Sequence, residues 1–527
     1  MNRPILYLLA CLLPLVSAPA DDQKGAQASP PPNIIFILAD DMGVGDVSHT
    51  TGKAATPCLD RLAKEGMRFT DAHTSSSVCS PTRYGIMTGR YNWRSWLKSA
   101  VIWSPDKRGP MITQDRLTVA AFLKQNGYHT ALVGKWHLGL KWTYLDKPRI
   151  PEHPGKYKTH GAGWDIDFTQ KAGGGPTTLG FDQSFFIAGS LDMAPYVYLK
   201  NDQAISIPTH VKAFHRPGAA AADFEAVNCL RDFARESVSY INERAKDPGK
   251  PFFLYLPLTS PHTPIVPSEK WQGKSPIGSY GDFLMETDWV VGQVMKALDD
   301  NKIADNTLVI FTTDNGCSPA AKIPNLVKKG HKPNGDLRGH KADIYEGGHN
   351  VPFIVRWPAG VKANTTSTRT ICTTDFFATA ADAIGKASSI PESGAVDSFS
   401  FLPTLKGDDQ KARPFTIHHS INGSFAIRQG KWKLCLCPGS GGWSAPMPKT
   451  AWKNKNLLPV QLFDLEADPA EKTNLASKNP ELVSTLIQAV NTAITSGRTT
   501  PGPRQDNDTP VPAFNAKLLK AYPEAAR

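Results

Sequence analysis

The chain is poor in cysteine, with eight in 527 residues, and those eight are scattered. That excludes a small disulfide scaffold. Long apolar runs are missing after residue 20, so no later segment is expected to span a bilayer. Zinc-finger spacing, an arginine-rich arm and RNA-binding signatures are absent too, which argues against a nucleic-acid partner. No internal repeat stands out. What is present is an ordinary globular composition, 40% hydrophobic and 20% charged, with 59 basic against 48 acidic residues and a net charge of +11. A basic excess suits an anionic glycan or a membrane surface, or equally a mildly basic exported protein with no such partner.

The N-terminus reads as a secretory signal over residues 1–20. Arg3 precedes an apolar stretch from Ile5 to Val16, and Ala18-Pro19-Ala20 supplies a small-residue exit. The mature chain is therefore expected to be periplasmic or secreted. A lipoprotein signal ending at Cys11 is the alternative. Removal of Cys11 leaves seven cysteines, an odd number, so an oxidising compartment leaves at least one unpaired. Residues 21–32 read as a linker, 33–410 as a main domain, 411–500 as a small antiparallel-sheet domain with one helix, and 501–527 as an extended tail.

Within 33–410, continuous apolar runs alternate with helical patterns. The runs are Ile34 to Leu38, Tyr128 to Val133, Pro251 to Leu258, Thr307 to Thr312 and Val351 to Trp357. Runs of this kind fit strands buried on both faces, so the spacing predicts an α/β fold, a mainly parallel sheet with helices on both sides. Helices are expected over 59–66, 115–126, 224–246 and 280–299. Chemistry-bearing residues fall repeatedly just past a strand, where open α/β sheets bind ligands. They are Asp40-Asp41, Lys135 with His137 (two residues apart and able to point the same way), His262, and Asp314-Asn315.

A further stretch, Cys79-Ser80-Pro81-Thr82-Arg83, places a small nucleophilic side chain where a helix begins. The helix end would face an anion with its N–H groups, and Arg83 would lie one turn in on the same side. Spacing alone leaves a buried structural cysteine equally open. Asp40, Asp41, Asp314 and Asn315 offer only hard oxygen ligands, which suit Ca²⁺ or Mg²⁺ rather than zinc or copper. Lys135, His137, His262, Lys341 and Arg83 would surround the same point with positive charge and proton donors. A divalent ion within a ring of cations describes a site for a tetrahedral oxyanion ester, sulfate or phosphate.

From about Pro32 to Asn474 the chain resembles the formylglycine-dependent sulfatases, in the branch of arylsulfatase A, N-acetylgalactosamine-6-sulfatase and bacterial polysaccharide sulfatases. The resemblance rests on Asp40-Asp41-Met42-Gly43, Cys79-Ser80-Pro81-Thr82-Arg83 with Thr88-Gly89-Arg90, and Gly134-Lys135-Trp136-His137-Leu138-Gly139. Ser260-Pro261-His262, Thr313-Asp314-Asn315-Gly316, and Gly339-His340-Lys341 to Glu346-Gly347-Gly348 complete it. It implies an alkaline-phosphatase-like fold and oxidation of Cys79 to formylglycine by a formylglycine-generating or anaerobic sulfatase-maturating enzyme. One hydroxyl of the hydrated aldehyde would attack sulfur, and deprotonation of the other would expel sulfate. Asp40, Asp41, Asp314, Asn315 and the modified Cys79 would hold Ca²⁺, with Mg²⁺ as the alternative. Arg83 would stabilise the hydrated aldehyde and His137 would be the base. His262 would protonate the leaving oxygen, with Lys135 and Lys341 binding sulfate. Apart from the resemblance, Ser190 and Asp192 read either as the lining of a cleft for a sulfated saccharide or as an ordinary loop. The family commonly carries Arg two residues beyond Glu-Gly-Gly, where this chain has Asn350, which removes a charge partner near the site. The competing functions are a phosphatase or phosphodiesterase of the same fold, and an unmodified, non-catalytic glycan-binding protein.

Overall fold

The computed structural model describes residue 1 and residues 30–157, 159–408 and 413–526. The expected signal peptide, the Cys11 alternative and most of the linker lie outside the described residues. The run Ile34–Leu38 forms the strand Asn33–Asp40, in which every residue after Asn33 is buried. Successive side chains of a strand point to opposite faces, so burial without alternation means that both faces are covered. This strand lies inside a ten-stranded sheet. Its order is Thr365–Ser367, Met67–Phe69, Phe353–Arg356, Thr307–Thr313, Asn33–Asp40, Phe252–Pro261, His129–Lys135, Gln183–Ile187, Leu199–Lys200 and Gln203–Ala204. The five strands from Thr307–Thr313 to Gln183–Ile187 run parallel. Phe353–Arg356 pairs antiparallel on one side and Leu199–Lys200 on the other.

Cys229–Arg244 and Ser279–Asp300 pack on each other and on Phe252–Pro261. Another helix, Phe376–Ala383, presses Phe376 against Phe36 with ring centroids 4.4 Å apart. The helix expected over 115–126 begins only at Val119. Thr118 Oγ1 accepts the Ala121 N–H at 3.0 Å, an N-cap that fixes the start. Gly127 follows at φ 88, a conformation cheap only for glycine, and the helix stops there.

The small C-terminal domain is a four-stranded antiparallel sheet, Thr416–His419, Phe425–Gln429, Trp432–Cys435 and Gln461–Asp464 in that order. The helix Pro480–Thr495 lays Val483, Leu486, Ile487 and Val490 on a core that also takes Tyr91 and Trp93 from the main domain. The tail departs from an extended form at Ala516–Ala521, a short helix that buries Leu518. Before it, the Asp508 carboxylate accepts from Tyr84 Oη at 3.1 Å and pairs with Arg116 at 2.6 Å. All seven cysteines of the described region are unpaired. Among the described residues no helix is long and apolar enough to cross a membrane.

Candidate active site

Parallel register brings the strand ends together. Asp40 pairs with Pro261, and Ala39 with Thr313, so Asp40, His262 and Asp314 emerge at one edge. Lys135 closes the neighbouring strand at the same edge. Glycines bring the remaining loops in by backbone contact. A Cβ on Gly316 would lie 1.9 Å from the Gly347 carbonyl, and one on Gly347 would lie 2.4 Å from that of Gly339. Three sequence motifs thus meet where only hydrogen fits.

Cys79 opens the helix Cys79–Thr88, all ten residues of which are buried. Pro81 is tolerated there because first-turn N–H groups have no partner within the helix. Cys79 Sγ lies 3.4 Å from Asp40 Oδ1 and 3.6 Å from Lys341 Nζ. Burial and the Asp314 charge push the thiol well above its usual range. A neutral thiol is a poor nucleophile.

Arg83 does not reach Cys79 in any hydrogen bond. Its Nε and Nη2 donate to Asp314 Oδ2 at 3.0 and 2.7 Å, and its Nη1 donates to the Lys135 carbonyl at 2.9 Å. The guanidinium therefore ties two strand ends together. Lys135 Nζ donates to Asp40 Oδ2 at 2.5 Å, and Lys341 Nζ pairs with Asp41 Oδ1 at 2.6 Å. Burial works to raise the Asp40 pKa, but Lys135, His262, Arg83 and Lys341 together hold it well below the usual carboxylate range.

Lys135 and His137 do not share one strand face. His137 sits at φ 55, in the left-handed region, so alternation ends with Lys135. Asp41 is also left-handed, at φ 68. Two non-glycine residues held there mark a site whose surroundings over-determine the backbone. His137 Nε2 donates to the Ile102 carbonyl at 2.9 Å, which assigns the proton to Nε2. Among the described residues its Nδ1, which is buried, has no hydrogen-bond partner. Burial, then Lys135 and Arg83, lower its pKa well below the ordinary histidine value. A neutral ring with a free lone pair results, the form a general base requires.

His262 Nε2 faces Asp41 Oδ2 at 3.6 Å, while Nδ1 donates to the Thr263 carbonyl at 2.5 Å. Ser190 Oγ lies 3.2 Å from the same Nδ1, so Ser190 supports His262.

The residues fit a hard cation. Asp40, Asp41, Cys79 and His262 present ligand atoms within 4.8 Å of one another. Asn315 Nδ2 donates to Asp41 Oδ1 at 2.7 Å, which leaves Asn315 Oδ1 buried and without a partner. Asp314 is pushed up to about 7 by burial and by the Asp40 charge. An orphan carbonyl oxygen among crowded carboxylates is a donor set short of one cation.

Asn350, where the resemblance implies an arginine, donates from Nδ2 to Glu346 Oε2 at 3.3 Å. Lys433, from the C-terminal sheet, pairs with Glu346 at 2.9 Å and Glu471 at 2.8 Å, fully buried. His73 and His349, set apart in sequence from the site residues, meet His418 beside this pair. The strand Trp432–Cys435 is buried on both faces from Lys433 onward, so Lys433 is enclosed together with Leu434 and Cys435.

A mainly parallel sheet whose strand ends gather carboxylates, lysines and histidines around one small side chain defines an ester hydrolase of the alkaline-phosphatase-like fold. Within that class the chain belongs to the sulfatase family, whose profile it matches over residues 32–386, and it is a sulfuric ester hydrolase. It is 33% identical over 517 residues to an N-acetylgalactosamine-6-O-sulfatase of Bacteroides thetaiotaomicron, covering 89% of this chain and 95% of the relative. Arylsulfatase A of Bos taurus is 31% identical over 479 residues, covering 88% and 87%. A solved 6S-sulfatase structure, described in a study of glycosaminoglycan metabolism by the same Bacteroides species, superposes with a TM-score of 0.74 at 31% identity. It covers 88% of this chain and 99% of that one.

Proposed function

We propose that this sulfatase is exported and removes sulfate from a sulfated saccharide, using a formylglycine made from Cys79 and one divalent cation. The observation that carries the reading is the position of Cys79 Sγ, 3.4 Å from Asp40 and 3.6 Å from Lys341, beside the orphan oxygen of Asn315. Asp40, Asp41, Asp314 and Asn315 would hold Ca²⁺, or Mg²⁺ in its place, with the modified residue 79 completing the set. When bound, the cation supplies positive charge against which an oxyanion forms, and the hydrated formylglycine supplies two geminal hydroxyls, one to attack sulfur and one whose ionisation expels sulfate.

The chain's own residues do the rest. Lys135 and Lys341 neutralise a sulfate placed between them, and their carboxylate partners hold them in position. His262, held at Nδ1 by the Thr263 carbonyl with Ser190 beside it, would give the leaving oxygen a proton from Nε2 in its doubly protonated form, the form that Asp41, 3.6 Å from Nε2, favours. His137 accepts a proton at Nδ1 because Ile102 fixes the proton on Nε2. Arg83 is a positioning residue for Asp314 and Lys135. Basic charge and the saccharide substrates named for two relatives, N-acetylgalactosamine 6-sulfate and glycosaminoglycans, support a polyanionic glycan.

The test is mass spectrometry of the peptide containing position 79, made in the native host, combined with sulfate release from defined sulfated saccharides. Formylglycine together with sulfate release is the expected result. An unmodified cysteine in active protein would overturn the nucleophile. Unmodified cysteine in inactive protein that still binds glycan would make the chain a binding protein.

A further inference from the structure

Beyond the reacting groups, one side of the site carries an exposed cluster that the ester chemistry does not use. Ile102, whose carbonyl holds His137, is followed by Trp103, which is 48% exposed. The Arg216 guanidinium lies over the Trp103 ring, 5.0 Å from its centroid. Arg216 sits between the paired strands His210–Ala213 and Pro217–Ala220. The hairpin is pinned from below: Tyr196 Oη donates to the Arg216 carbonyl at 2.6 Å, and the Tyr196 N–H donates to the Ala219 carbonyl at 2.8 Å.

The same guanidinium touches the loop that supports His262. Arg216 Nη1 donates to Asp192 Oδ2 at 2.5 Å and to the Asp192 carbonyl at 3.3 Å. Asp192 lies two residues after Ser190, the partner of His262. A Cβ on Gly189 would come within 2.6 Å of Ser104 Cβ, so the Trp103-Ser104 segment presses directly on the Ser190–Asp192 loop. Asp192 Oδ1 is buried without a partner.

Only Nη1 of Arg216 donates within the described protein, although its side chain is 44% exposed. Its Nε and Nη2 remain, and these form the edge that pairs two-pronged with a carboxylate or a sulfate. Stacking on Trp103 and the bond to Asp192 have already fixed a long side chain, so a ligand pays little ordering entropy to engage it. An indole beside a fixed guanidinium offers a sugar ring an apolar face and its acidic substituent a fork.

Resting on the sulfatase reading above, we propose that Trp103 and Arg216, held by Asp192, form a subsite for an oxyanion on the saccharide next to the sulfate being removed. Arg216 and Trp103 contact that neighbouring group, and Asp192 is the positioning residue. The oxyanion is either the carboxylate of an adjoining uronate or a second sulfate ester.

The probes are three disaccharides with the same sulfated sugar and a different neighbour: a uronate, a sulfated hexose or a neutral hexose. Wild-type protein is expected to prefer an anionic neighbour by about tenfold or more in kcat/KM, mostly through KM, as one charge-assisted pair allows. Whichever anionic arm shows the preference identifies the source. Arg216→Gln should bring the ratio close to one, and Arg216→Lys should restore part of it. A purely structural Arg216 would lower all three substrates alike and keep the ratio, which overturns the proposal. A wild-type ratio near one also overturns it. If no disaccharide loses sulfate although position 79 is formylglycine, the sulfatase reading on saccharides has failed. Calorimetric binding of the same disaccharides to Cys79→Ala protein then decides the subsite separately. Tighter binding of an anionic neighbour that Arg216→Gln removes upholds it, and equal binding of all three rejects it.

Discussion

The Lys341 ammonium lies 3.6 Å from the Cys79 sulfur. It is also 2.6 Å from Asp41, so one buried cation links Cys79 to the carboxylate cluster. Burial works to lower the lysine's pKa, and the charges of Asp41, Asp40 and Asp314 more than offset it, so Lys341 stays charged. Charge preorganised in a dry site is worth far more than in water. Lys341→Ala should therefore lower kcat/KM for a sulfate ester by about 10²- to 10³-fold. The comparison must be made at equal formylglycine content. A loss that disappears once activity is divided by formylglycine content would assign Lys341 to maturation rather than turnover.

Cys79→Ala should abolish sulfate release and leave the fold in place. The side chain is 1% exposed and small, so its loss costs about 1 kcal/mol of packing. Circular dichroism and thermal melting would then match the wild type to within a few degrees. Cys79→Ser should also fail to turn over repeatedly, because one hydroxyl has no second hydroxyl to expel the sulfate. A burst of about one sulfated residue per chain, seen by mass spectrometry, is the expected trace. Sustained turnover by either variant would contradict the proposed nucleophile.

Chelation should act on stability as well as on rate. A cation at 100 times its Kd adds about 2.7 kcal/mol to a fold that binds it only when native. Treatment with a chelator should lower Tm by several degrees, and Ca²⁺ should restore Tm and activity together. Asn315→Leu removes the orphan Oδ1 that supports this expectation. That variant should lose the Ca²⁺-dependent part of Tm. If its Tm still rises with Ca²⁺ as much as the wild type's, the ion sits elsewhere.

Much of the site was readable because each residue follows a strand, and parallel strands of similar length must end at one edge. Asp40, Lys135, His262 and Asp314 meet for that reason. The bond partners were less readable. Arg83 reaches Asp314 and the Lys135 carbonyl because the helix and sheet dock at one angle, which spacing along the helix does not encode. The turn to φ 55 at His137 broke an alternation that the sequence pattern implied. Lys433 reaches Glu346 only through docking of the C-terminal sheet, far later in the chain. Trp103, Asp192 and Arg216 come from three separated loops, and nothing local in any of them announces the other two.

Acid should unfold this protein through its buried histidines, and His419 is the clearest to isolate. It is 2% exposed, and Asn92 Nδ2 donates to its Nδ1 at 3.1 Å, a bond that a protonated ring cannot accept. Burial brings its pKa from 6.5 down to about 3. The unfolded chain thus binds a proton at higher pH than the folded chain does. The stability this histidine contributes is complete above about pH 6.5 and is lost as pH falls from there toward 3. At pH 5 the loss from this one group is about 2 kcal/mol. His419→Gln removes the titration and keeps an acceptor for Asn92. Urea unfolding at pH 7 and pH 5 should show a wild-type drop about 2 kcal/mol larger than that of the variant. Equal drops would mean that His419 is already protonated in the fold, or that its burial is relieved before the transition.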